Sequence, residues 1–215
     1  MKSIMGAVVL VAGLILGILC QEALAEEYTK QFLLRGGGAF LTNPRSNEIF
    51  TDTNGALGRQ NDNKVGYYIY AGIQVKGPKL WGGTLFGESG MEYKRFNSAT
   101  VRQAAPLLAS GGANTLPGKV PISMLTVNFS PKYMYDTGGK WRPWVIPIGL
   151  GFHVISPPSN SVSYLDIGLH WGAGIEYAMT DRFVLGLDGR FHLLSGQTGT
   201  VNNFATVGPY VGINF

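Results

Sequence analysis

Apolar and small or polar side chains alternate along most of this chain, and the carboxyl end shows the pattern most plainly. From Ala205 to Phe215, the side chains of Val207, Val211, Ile213 and Phe215 fall on one face of an extended strand, while Thr206, Gly208, Gly212 and Asn214 fall on the other. A strand that stops on an aromatic with an apolar outer face suits a transmembrane β-barrel, whose outside meets lipid and whose last strand pairs with its first.

The same period of two picks out about eight segments, each near the length of about 9 to 11 residues that crosses a bilayer at a tilt. The clearest puts Leu165, Ile167, Leu169, Trp171, Ala173, Ile175 and Tyr177 opposite Asp166, Gly168, His170, Gly172, Gly174 and Glu176. In the next, Phe183, Leu185, Leu187, Phe191 and Leu193 oppose Gly186, Asp188, Arg190 and His192, after a turn at Thr180-Asp181-Arg182. Upstream, Trp144, Ile146, Ile148, Leu150, Phe152 and Val154 are expected to face away from Gly149, Gly151 and His153. Before them Leu125, Val127, Phe129 and Tyr133 oppose Thr126, Asn128, Ser130 and Lys132, and Asp136 to Lys140 makes the turn between. A third turn is expected around Gly77-Pro78-Lys79, between a strand carrying Tyr67, Ile69, Ala71, Ile73 and Val75 and one carrying Leu85, Met91 and Tyr93. In the first strand, Gln31 to Thr42, Phe32, Leu34 and Phe40 face outward and Arg35 inward.

The short turns alternate with longer connections, at about 43 to 63, 95 to 119, 156 to 163 and 196 to 204. A bacterial outer-membrane barrel segregates them in this way, with short turns on the periplasmic side and long loops outside. An even number of strands then returns both termini to the periplasm. A soluble β-sandwich or a lipocalin-type barrel is the alternative, with the aliphatic face turned inward. Charge placement favours the membrane barrel. Arg35, Glu88, Glu92, Lys94, Lys132, Asp166, His170, Glu176, Asp188, Arg190 and His192 all share the face opposite the aliphatics. Trp81, Tyr93, Tyr133, Trp141, Trp144, Tyr164, Tyr177 and Tyr210 fall mostly near strand ends, where amphipathic rings prefer the headgroup level.

The amino terminus agrees with export. Lys2 precedes an apolar run from Ile4 to Leu19, and Ala23 and Ala25 form an A-x-A cleavage site, so residues 1–25 read as a signal peptide and 26–215 as the barrel domain. As an uncleaved anchor the run is short. Bulky Leu19 before Cys20 argues against a lipoprotein. The single cysteine leaves with the leader, which removes disulfides and thiolate metal sites from the mature chain. Charged residues make up 14%, against about 25% in soluble proteins, with glycine at 31 residues and aromatics at 12%. The net charge of +4 is scattered, and no nucleic-acid motif accompanies it.

Trp141-Arg142-Pro143-Trp144, Gly149-Leu150-Gly151, Gly172-Ala173-Gly174-Ile175-Glu176-Tyr177, Thr180-Asp181 and the closing Val211-Gly212-Ile213-Asn214-Phe215 resemble the C-terminal half of small eight-stranded outer-membrane proteins of the OmpA-barrel and OmpW-like kind. The resemblance covers residues 140 to 215 well and the first half in outline. It implies insertion by the barrel assembly machinery through the terminal Phe215, and no common enzymatic activity.

Eight strands enclose an interior that side chains just fill, so the inward charges are expected to form a paired network. Three classes of function follow: a structural barrel or narrow path for small solutes, recognition through the long loops, and lipid A modification or other catalysis. For the last, His153 and Ser156, like His192 and Ser195, stand three apart and so fall on opposite faces, and no His-x-Ser motif of lipid A deacylases occurs. A metal site from His153, His170 and His192 requires their heights to agree. No cofactor is implied. The expected surroundings are outer-membrane lipid and lipopolysaccharide, without nucleic acid, for a monomer. The loop stretch Ala104 to Ala109 is apolar enough to rest on the barrel mouth, but no residue pattern names a solute or a partner.

Overall fold

A computed structural model describes residues 28–42, 64–102, 117–156, 165–196 and 202–215. The expected leader with Ala23 and Ala25, the loop segments 43–63, 103–116, 157–164 and 197–201, and with them Tyr164 and Ala104 to Ala109, lie outside the described residues. The described chain forms β1 (Lys30–Leu41), β2 (Val65–Leu80), β3 (Gly83–Arg102), β4 (Pro117–Tyr135), β5 (Trp141–Ser156), β6 (Leu165–Ala178), β7 (Phe183–Leu194) and β8 (Phe204–Asn214). Each strand pairs antiparallel with the next, and β1 pairs with β8, so the sheet is a closed barrel. Closure leaves no unpaired edge, which a sheet in hydrocarbon requires. The seam is fastened at its end: Lys30 N donates to Phe215 O at 3.1 Å, and Phe215 N to Lys30 O at 2.9 Å.

The barrel is inside out relative to a soluble protein. Ile69, Leu125, Leu169, Leu187 and Val211 are exposed, whereas Arg35, Glu88, Lys132, Asp166 and Glu176 are buried. Period-two alternation carries this through the barrel, because successive side chains leave a strand on opposite faces.

Strand β5 is the exception and corrects the expected facing of Trp144 and Ile146. Both are 1% exposed and point into the lumen, while Ile148 and Val154 face outward. Ile146 pairs with Gly172 but Gly149 pairs with His170, so β5 carries one extra residue at Pro147-Ile148. A β-bulge reverses the parity of everything beyond it, and proline, having no N–H to lose, is tolerated there. Tyr210 also departs from the expected interfacial belt and lies 3% exposed in the lumen, as its parity with Gly208 and Gly212 requires.

A second bulge moves a turn. Lys76 pairs with Phe86 and Lys79 with Thr84, so Gly77-Pro78 is an irregularity inside β2 and not the expected turn. The turn is Trp81-Gly82, at φ values of 46 and 78. Two successive left-handed residues match the right-handed twist of a tight hairpin. The turns at Asp136–Lys140 and Thr180–Arg182 stand where expected. In the first, Gly138 N donates to Asp136 Oδ1 at 3.1 Å, and in the second, Phe183 N donates to Thr180 Oγ1 at 3.0 Å. The connection expected over 95 to 119 is largely strand, since β3 and β4 run to 20 and 19 residues and pair as far as Arg102 and Pro117. That hairpin is much longer than the about 9 to 11 residues a crossing needs.

Candidate functional site in the barrel lumen

The middle of the lumen is a charge cluster built from strands that are far apart in sequence. Arg35 on β1 pairs with Glu88 on β3 and donates from Nη1 to Asp188 Oδ2 on β7 at 2.7 Å. Arg190 donates from Nη2 to Glu88 Oε1 at 2.9 Å and from Nε to Asp188 Oδ2 at 3.1 Å. Two guanidiniums therefore share two carboxylates. Tyr70 donates to Glu88 at 3.0 Å and Tyr68 to Asp188 at 3.4 Å, while the Arg35 guanidinium lies 3.6 Å from the Tyr70 ring centroid. None of these charged groups is more than 5% exposed. Such charges persist away from water only because each meets an opposite charge and further donors or acceptors.

Below the cluster, toward the short turns, the contacts become aromatic and amide. Lys132 Nζ donates to Gln74 Oε1 at 3.0 Å and lies 4.3 Å from the Trp144 ring. Trp144 Nε1 donates to Tyr210 at 2.9 Å, and Tyr210 donates to Glu176 Oε2 at 3.3 Å. Gln74 donates to Gln31 at 2.6 Å and Gln31 to Asn214 at 2.7 Å. Inward glycines give the rings room. A Cβ on Gly186 would overlap the Tyr210 ring, and one on Gly174 would stand 2.5 Å from Trp144 Cζ2.

Above the cluster lies the histidine layer. Lys94 pairs with Glu92 at 2.7 Å and donates to Thr126 Oγ1 at 2.7 Å, which in turn is 2.9 Å from His153 Nδ1. Ser130 Oγ is 2.7 Å from His170 Nε2. His170 stacks on His192 at 4.8 Å between centroids, and His192 on Phe204 at 4.2 Å. Ser195 donates to Asp166 at 2.6 Å. His170 and His192 stack face to face, and His153 meets His192 edge-on at 5.6 Å. Among the described residues no cluster of His, Cys, Asp and Glu is arranged to hold a metal.

The structure thus brings Arg35, Glu88, Asp188 and Arg190 into one cluster, places Glu92, Lys94, Asp166, His170 and His192 above it, and places Glu176 below it with Lys132, whose Nζ is 4.0 Å from Glu88 Oε2, at its lower edge. Parity alone shows that all of these face inward. Their partners are invisible in the sequence because they come from other strands: Tyr68, Tyr70, Gln31, Gln74, Trp144 and Tyr210 were not among the expected lumen residues. The hydroxyls that meet imidazoles are Thr126 and Ser130, reached across strands, and not the sequence neighbours of the histidines. Ser130 beside His170 has the first half of a nucleophile arrangement. His170 Nδ1 has no hydrogen-bond partner to orient it, however, and both side chains are buried.

A family model described as the outer membrane protein beta-barrel domain matches residues 11–215. Among solved structures the chain is similar to the outer membrane enzyme PagL, at 13% identity and a TM-score of 0.47, covering 86% of this chain and 99% of that one. It is similar to Neisserial surface protein A at 14% identity and 0.46, covering 87% and 96%. For Ail, the attachment invasion locus protein of Yersinia pestis, the values are 10% and 0.48, covering 88% and 100%. No curated protein matches.

Proposed function

The chain belongs to the outer membrane protein beta-barrel family, and from that premise we propose that it serves the bacterial outer membrane as a sealed, non-catalytic barrel. The observation that carries this reading is the filled cross-section at mid-height. Arg35, Arg190, Glu88 and Asp188 meet Tyr68 and Tyr70 there, Lys132, Trp144 and Tyr210 close the level just below, and every one of these side chains is buried. Moving an ion through that layer means breaking several buried charge pairs, each of which costs about 3–5 kcal/mol when one partner is lost. Insertion by the barrel assembly machinery through Phe215, contact with lipid and lipopolysaccharide, and a monomeric state belong to the same reading.

Conductance in planar bilayers tests it. Silence at ordinary salt and voltage is expected. Discrete channel events in the unmodified protein overturn the sealed barrel and favour a path for small solutes.

A second reading rests on the β3–β4 hairpin, which extends well past the length a crossing needs. A hairpin that continues past the length of the crossing suits recognition. Shortening it between residues 97 and 122 should then abolish binding to host or neighbouring-cell surfaces while the barrel still folds.

A further inference from the structure

The end of the barrel that carries the short turns opens into a cavity of about 560 Å³, within the roughly 300–1,000 Å³ of small-molecule sites. Its floor is the amide run of Gln74, Gln31 and Asn214, and Phe86 and Met134 contribute apolar wall. In a barrel of this family that end faces the periplasm.

Charge in this cup is divided mainly by strand, with Arg142 on β5 the one cation among the carboxylates. Lys30, Lys76 and Lys79 line it from β1 and β2, while Glu176 lines it from β6, Asp136 from the turn before β5 and Asp181 from the turn after β6. In the closed ring β2 stands opposite β6, so Lys76 and Lys79 face Glu176 across the mouth. Arg142, half exposed beside Glu176, forms an ion pair with Oε1 at 3.7 Å, a separation too long for a hydrogen bond. Glu176 is itself fully buried, and Oε1 accepts no hydrogen bond. Glu88 Oε2, Glu92 and Asn128 Oδ1 share that condition deeper in the lumen, but Glu176 is the one of these side chains that lines the cup, so its open acceptor position is the one a ligand from this end meets.

From this arrangement we propose that the periplasmic cup is a binding site for a small zwitterion of the short-peptide class. The ligand's ammonium supplies to Glu176 Oε1 the hydrogen bond that Arg142, at 3.7 Å, does not make, and its carboxylate meets Lys76 and Lys79 on the opposite wall. A simple anion has no use for the carboxylate, and a simple cation meets the lysine side with repulsion; a molecule charged at both ends matches both sectors. Occupancy is reported deeper in the barrel, because Glu176 Oε2 takes the Tyr210 hydroxyl and Tyr210 takes the Trp144 indole N–H.

Triglycine, N-acetyl-triglycine and triglycine amide provide the test, each titrated into the protein in lipid nanodiscs while the Trp144 indole N–H resonance is followed. Triglycine should shift it saturably. Capping either end should weaken binding about tenfold, the worth of one charge-assisted contact. Lys76→Gln with Lys79→Gln should erase the advantage of the free carboxylate. Glu176→Gln should erase that of the free amine. Equal binding of free and capped peptides, or no saturable shift at millimolar triglycine, overturns the proposal. Neither result bears on conductance, so the sealed barrel stands or falls separately.

Discussion

The Trp144 indole N–H donates to the Tyr210 hydroxyl at 2.9 Å, joining β5 to β8, which are not neighbours in the sheet. Their rings meet edge-on at 6.4 Å, and Tyr210 passes the chain on to Glu176. The contact is a tie across the lumen, in addition to the ladder bonds that hold the wall.

Tyr210→Phe tests that tie. It leaves Trp144 Nε1 without its acceptor and Glu176 Oε2 without its donor, at an expected loss of about 1–3 kcal/mol. Reversible urea unfolding into lipid vesicles measures it. An unchanged midpoint shows that the hydroxyl contributes nothing net.

Glu88→Ala should be more damaging, by about 3–5 kcal/mol, because Arg35 and Arg190 both lose a carboxylate while remaining buried. Adding Arg35→Ala should recover part of that loss, since the two positions share one network. Strict additivity in the same unfolding assay contradicts the shared-network reading.

On the outer face, Leu187→Arg should cost about 2–4 kcal/mol near mid-bilayer and less toward either rim. Leu187 is 53% exposed in the absence of lipid, so in water the substitution would be tolerated. A negligible effect in bilayers therefore means that hydrocarbon does not cover this face.

At the β2–β3 turn, Trp81 adopts a left-handed φ of 46 with its ring 92% exposed. Trp81→Asn should stabilise the barrel by about 1 kcal/mol, since asparagine accepts that conformation more readily than a bulky aromatic. The Tyr133 hydroxyl, which donates to Leu80 O at 2.6 Å and Trp81 O at 3.0 Å, can hold the turn in either case. A loss of stability in bilayers shows instead that the Trp81 ring contributes more at the lipid interface than the strained backbone costs.

Legibility in the sequence followed the range of the interaction. Strand β6 was readable throughout because no bulge interrupts its alternation, and the turns at Asp136–Lys140 and Thr180–Arg182 carry local residues with turn chemistry. Strand β5 misled at Trp144 and Ile146 because a single added residue at Pro147-Ile148 inverts the pattern below it. Gly77-Pro78 misled for a related reason: the pair that marks a turn also marks a bulge.

The amino-acid order by itself determined an all-β membrane barrel and the side of the wall taken by most residues, since both follow from a period of two and from the solvent each face prefers. It also showed that charge would line the lumen. Tertiary structure alone decided which charges meet, that Trp144 and Tyr210 belong inside, and that Ser130 finds His170. Those contacts form across strands brought together by ring closure and register, and no local spacing encodes the distance between opposite walls.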